Sequence, residues 1–404
     1  MGEIKCVKVL KSLMKSYFQG LEEKPLIAWC TSVGPAEILR AFGFEVFFPE
    51  NHGALLGATK TAETYINYAV KKGYSPHICS YTTADIGSFL SGTTPLQSHY
   101  EIKGIPKPSL IVYNTNQCRE VQDWFNFYGE EFKCPVVGIY PPRYLDEITK
   151  EDIQQVVSQF EKLIETCEQI TGKKRDYDRL SEVVKLSKEA TCLWQEVLQT
   201  AQNKPAPITF FDGVILMGPI VVLRGTEEAK NFYKVLLDEL ENKVKNKEGA
   251  VPDEKVRLFW DGMPLWGRLR MLSDIFSENN AAIVASTYCN SWIFTDFDEN
   301  NPLESMALAY TEIFINRSEK VKTNMLLQWA KEYHVDGMIF HDTKTCFNNS
   351  NAKFGLPQKI KEKYNIPTLV IEGDLCDMRL FSEAQSITKI ETFIEQIQEY
   401  ATFK

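Results

Sequence analysis

Short, continuous apolar runs bounded by turn residues recur along the first third of the chain, at residues 26–29, 45–48, 77–78, 109–113 and 135–139. Between them, residues 35–42, 61–72 and 118–128 carry the apolar period of helices. Strands that are apolar on both faces and alternate with helices predict a parallel sheet covered on both sides. From Ile148 to about Asn203 the period changes to that of a helix, with Ile153, Val156, Val157, Phe160, Leu163 and Ile164 falling on one face, so a helical insert is expected. Residues 203–207 break it, and a further helix is expected over 226–247. A second set of strands then follows at 256–260, 281–286, 337–340 and 368–371, with an amphipathic helix at 387–400 to finish. The pattern predicts an α/β protein with two Rossmann-like (flavodoxin-like) parallel-sheet domains. The expected segments are an N-terminal α/β domain over 1–147, a helical insert with linking helices over 148–253, and a C-terminal α/β domain over 254–404.

A chain of 404 residues exceeds what one core usually supports, so several domains can fold without covalent staples. The formal charge of −9 would repel a phosphate backbone, which argues against nucleic acid as a partner. Residues 1–20 lack an apolar stretch followed by a small-residue cleavage site, and no later run has the length of a membrane span, so a cytoplasmic protein without membrane attachment is expected. In that reducing compartment ten cysteines do not read as a disulfide framework. They are buried small residues, reactive thiols or metal ligands.

Six of them share one kind of place: Cys30, Cys79, Cys118, Cys289, Cys346 and Cys376 each lie at or just beyond the carboxyl end of an expected strand. That edge is where open α/β sheets bind ligands. Thiolates beside helix N-termini suit iron–sulfur ligation, whereas zinc sites usually carry Cys-x-x-Cys pairs, which are absent here. Cys6, Cys134, Cys167 and Cys192 lie elsewhere and read as filler. A glycine-containing stretch at 53–60 lacks the adjacent Gly-Lys of a phosphate loop and reads as an ordinary turn.

With these cysteines in place, the sequence resembles the catalytic subunits of 2-hydroxyacyl-CoA dehydratases and benzoyl-CoA reductases, and within that superfamily the double-cubane cluster proteins. The resemblance rests on Gly34-Pro35-Ala36-Glu37-Ile38-Leu39-Arg40-Ala41-Phe42-Gly43-Phe44, on Ile78-Cys79-Ser80, and on Val112 through Cys118. Asp336-Gly337 leading to Cys346, and Glu372-Gly373-Asp374, add to it. It implies that Cys79, Cys118 and Cys346 hold one cubane, and that Cys30, Cys289 and Cys376 form a second trio completing an 8Fe–9S double-cubane cluster. A separate ATP-dependent reductase with its own 4Fe–4S cluster would be the electron donor, and a homodimer is expected.

The expected activity is reduction of a small molecule of the acetylene, hydrazine or azide type. The alternatives are radical dehydration of a 2-hydroxyacyl-CoA with a single 4Fe–4S cluster, which needs no second trio, and a non-enzymatic electron-storage or cluster-carrier protein. Polar groups in the same loops, His77, Glu37, Ser80, Tyr81, His341, Lys344 and Asp374, are the candidate proton donors. Each has an ordinary reading as well: a cap, a solvated charge or a packing group.

Overall fold

The computed structural model describes residues 4–402; the outermost parts of the first and third expected segments, 1–3 and 403–404, lie outside it. Eight strands form two sheets. β1 (Ile27–Cys30), β2 (Glu45–Phe47), β3 (Leu110–Asn114) and β4 (Val136–Ile139) make the first, in the order β2-β1-β3-β4. β5 (Val256–Asp261), β6 (Ala281–Ser286), β7 (Gly337–Thr343) and β8 (Thr368–Gly373) make the second, in the order β6-β5-β7-β8. All pairings are parallel, and the two orders are the same when read from each half's own first strand. The central strands β1, β3 and β5 are buried along their whole length, as their unbroken apolar runs require of a sheet with helices on both faces.

Residues 77–78 are not a strand. Ile78 is the one apolar side chain between Pro76 and Cys79, too little to pair as a strand, and the chain instead turns into the helix Ser80–Ser91, with Cys79 as its N-cap. The stretch 53–60 is not a turn either: most of it lies in the helix Pro49–Ala58. Its glycines serve close packing, since a Cβ at Gly53 would lie 2.9 Å from the Tyr81 ring.

The insert folds as the helices Lys150–Thr171 and Tyr177–Gln199, the first opened by a reciprocal Thr149/Asp152 cap and the second by Asp176. Glu227–Lys245 follows, and the last helix is Glu383–Thr402.

A thiol-lined chamber between the two sheets

In each sheet the connections from the two central strands leave toward opposite faces, which opens a crevice at their carboxyl ends. The two crevices share one chamber. Ser32 and Val33 follow β1, Gln117 and Cys118 follow β3, Met263 follows β5, and Cys346 and Asn348 follow β7. Cys79 and Tyr81 join them from the start of the helix Ser80–Ser91, and Val214, Met217 and Val221 come from the linking helices. The chamber measures about 130 Å³, whereas a single water needs about 10–15 Å³ on this measure.

Cys79, Cys118 and Cys346 therefore line one space, two from the first half and one from the second. Burial pushes Cys118 up to about 11 and Cys346 up to about 12, and it holds Cys79 well above the thiol range. Neighbouring thiols add to the rise at Cys79 and Cys346. Backbone N–H groups of Val121 and Glu120 pull Cys118 the other way without prevailing. Helix N-termini alone thus do not yield thiolates here, and metal coordination would have to draw the protons off. Among the described residues no three His, Cys, Asp or Glu side chains converge on a single ion. Three thiols spread around a chamber wall, each able to serve a different iron, fit a polynuclear iron–sulfur core better than mononuclear zinc.

The second trio lies elsewhere, each thiol with its own packing. Cys30 is wholly buried at the end of β1, where its Sγ would lie 2.7 Å from a Cβ on Gly34, and its charged neighbours are Arg224, Glu37, Glu50 and Arg40. Cys289 packs against Gly213 and borders a separate, very small void, and its carbonyl accepts from Trp194 Nε1 at 3.1 Å. The Cys376 thiol donates to the Gly53 carbonyl at 3.1 Å. None of the three lines the chamber.

Of the seven polar candidates, Tyr81 lines the chamber, where its hydroxyl accepts from Trp266 Nε1. His77 is exposed on the turn before Cys79. Lys344 bridges Asp342 and Glu372 at the surface. Glu37 is fully buried, accepting from Ser187 Oγ at 2.7 Å, Arg224 Nε at 2.9 Å and Tyr310 OH at 2.5 Å. His341 is buried within the second sheet with Nδ1 2.6 Å from the Met263 carbonyl, and burial lowers it to about 4. Ser80 and Asp374 bond each other. Asp374 also accepts from Thr345 N at 2.9 Å and Oγ1 at 2.6 Å, so it ties the Cys79 loop to the Cys346 loop across the two halves.

Sequence reasoning missed Glu50. Its carboxyl accepts from the Ser32 amide and from Gln117 Nε2 (2.8 Å), its remaining surface faces the chamber, and burial holds it above the usual carboxylate range. The available signal was Phe47-Phe48-Pro49-Glu50, an acid in the first turn of a helix directly after a strand.

Beyond Trp266, Asn51, Ala54, Val214 and Gly218, which line both spaces, lies a larger groove of about 1260 Å³. Lys11, Lys15, Lys60, Arg268 and Arg270 line it, against the acids Asp274 and Glu383. Lys15, Arg268 and Arg270 are paired with Glu101, Glu383 and Asp274, while Lys11 and Lys60 have no ion-pair partner among the described residues.

Two like-ordered parallel sheets enclosing a trio of half-buried thiols define a two-lobed α/β protein with a candidate cluster chamber. The family model for the 2-hydroxyglutaryl-CoA dehydratase D-component matches residues 31–397, and the chain belongs to that family. It is 29% identical over 385 residues to the (R)-2-hydroxyisocaproyl-CoA dehydratase alpha subunit of Clostridioides difficile, covering 95% of this chain and 92% of that one. A benzoyl-CoA reductase polypeptide of Thauera aromatica is 30% identical over 377 residues, 90% of this chain and 86% of its own length. The (R)-phenyllactyl-CoA dehydratase beta subunit of Clostridium sporogenes is 26% identical over 345 residues, 81% of this chain and 82% of its own. No helix among the described residues is long and apolar enough to cross a membrane.

Proposed function

We propose that the chain is the catalytic subunit of a 2-hydroxyacyl-CoA dehydratase, with one 4Fe–4S cluster held by Cys79, Cys118 and Cys346. The observation that carries this reading is that these three thiols, and not the other three, line a chamber opening onto a cation-bearing groove. When bound, the cluster supplies one-electron chemistry at low potential. Three thiolates for four irons leave one iron without a protein sulfur.

The protein's own groups do the rest. Lys11 and Lys60 attract the phosphates of coenzyme A in the groove, and the narrowing at Trp266 admits the acyl end alone. Glu50, fixed by Ser32 and Gln117, holds a proton at the chamber wall for the departing hydroxyl. The indoles of Trp266 and Trp292 exclude water. Dehydration consumes no net electron, so an ATP-dependent reductase is needed to prime the site and not in stoichiometric amounts. The relatives include alpha and beta subunits, which supports pairing with a related second subunit over a homodimer.

A composite cluster on six cysteines would require Cys30, Cys289 and Cys376 to leave their present contacts. Iron analysis of anaerobically purified protein separates the two readings: about four irons per chain are expected. A content near eight, halved by Cys30→Ser or Cys376→Ser, would overturn the single-cluster reading in favour of the double-cubane reductase. With the ATP-dependent reductase present, a 2-hydroxyacyl-CoA should lose water; acetylene or hydrazine reduction without dehydration would sink the proposal.

A further inference from the structure

The chamber and the groove differ in charge as well as in size. The groove carries lysines and arginines; the chamber has no lysine, arginine or histidine in its lining among the described residues. The charged side chains in that lining are two carboxyls, Glu50 and Glu120, and Cys79 N donates to Glu120 at 2.6 Å. Apolar side chains of the linking helices, Val214, Met217 and Val221, close the space together with Ile313 and Ile315. Val214 also lines the groove, so it stands at the narrowing between the two.

Resting on the proposed function, we infer that this enzyme selects CoA esters whose acyl group is apolar and uncharged beyond the 2-hydroxyl, with Val214 setting the width admitted. A buried carboxylate is tolerated only with a counter-charge or a full set of donors. The Ser32 amide and the Gln117 side chain already serve Glu50, and the buried donor left open in the lining, the Thr82 hydroxyl, is uncharged and single. A second, distal carboxylate on the acyl chain would find no cation and would face two acids. An aliphatic or aryl end would displace water from apolar wall at no such cost.

Calorimetric titration of the full chain, purified anaerobically, tests this with four probes: coenzyme A, lactoyl-CoA, 3-phenyllactyl-CoA and 2-hydroxyglutaryl-CoA. The phenyl ester should bind roughly tenfold or more tighter than the dicarboxylate. Equal or tighter binding of 2-hydroxyglutaryl-CoA overturns the inference while leaving the proposed function intact. Failure of coenzyme A itself to bind overturns the reading of the groove and the proposed function with it.

Val214→Phe should weaken 3-phenyllactyl-CoA about tenfold while coenzyme A and lactoyl-CoA stay within about twofold. If that variant does not fold, Val214→Ala decides the matter. It should favour the phenyl ester over lactoyl-CoA by a larger ratio than the parent protein does, and an unchanged ratio rejects Val214 as the selector.

Discussion

Burial sets the behaviour of individual titrating side chains in this protein more than their charged neighbours do. Glu50→Gln should lower dehydration by about 10²–10⁴ while iron content and the unfolding temperature stay at parent values; near-parent turnover would remove Glu50 from the reaction. Asp261 and His341, on adjacent strands, make opposite contributions to stability. Burial raises Asp261 from 3.8 to about 6 and lowers His341 from 6.5 to about 4. Between pH 4 and 6 the folded state therefore binds the extra proton at Asp261, so that contribution falls as pH rises. At His341 the unfolded state binds the extra proton, so its contribution rises with pH. Relative to the parent, Asp261→Asn should gain stability from pH 4 to 6 and His341→Gln should lose it, each by about 3 kcal/mol. Urea titrations at several pH values measure this, and parallel curves would show that neither group is shifted. No such shift is visible in sequence, because it depends on what closes over the residue. Cys118 and Cys346 were legible from their positions beyond strands, whereas Cys79, expected after a strand, follows a turn and caps a helix instead. That Cys30, Cys289 and Cys376 point into packing was not legible, since strand-end position does not state which way a thiol faces.

At the scale of elements, three helices begin at the chamber: Pro49–Ala58 with Glu50, Ser80–Ser91 after Cys79, and Glu120–Phe132 after Cys118. Asp85 joins all three. It accepts from His52 Nδ1 at 2.5 Å on the first and, from within the second, from Trp124 Nε1 at 2.9 Å and Tyr128 OH at 2.5 Å on the third. His52 Nε2 meets Thr94 Oγ1 at 2.8 Å, completing a set that is buried throughout. Asp85→Leu should cost about 3 kcal/mol, since it strands three donors, and on the proposed function it should also alter the electron paramagnetic resonance signal of the reduced protein by shifting the helix starts beside Cys79 and Cys118. A destabilised protein with an unchanged signal would confine Asp85 to stability. Of these three helices the period located Glu120–Phe132 alone; Pro49–Ala58 was read in part as a turn at 53–60, and Ser80–Ser91 was not foreseen. Residues 77–78, read as a strand, hold one apolar side chain, Ile78, in a turn that leads to the Cys79 cap.

Across the whole molecule, the use of one architecture in both halves was legible, but the strand orders and the contacts that join the halves were not, because they link residues far apart in the chain. Glu37 is the clearest case: read as a proton donor from its loop, it bonds Ser187 and Arg224 from the central helical region and Tyr310 from the second half. Arg224 in turn donates to the Gly34 carbonyl at 3.1 Å. Arg224→Met, which leaves a carboxylate enclosed without its cation, should cost about 3–5 kcal/mol in urea unfolding, and a loss below about 1 kcal/mol would place the pair outside the stabilising core. Because one carboxylate fastens all three regions, the parent polypeptide should melt in a single calorimetric peak and resist being cut into autonomous fragments by protease. A foreign lobe set in place of either one would therefore leave Glu37 or its partners unmatched unless that junction were rebuilt with it.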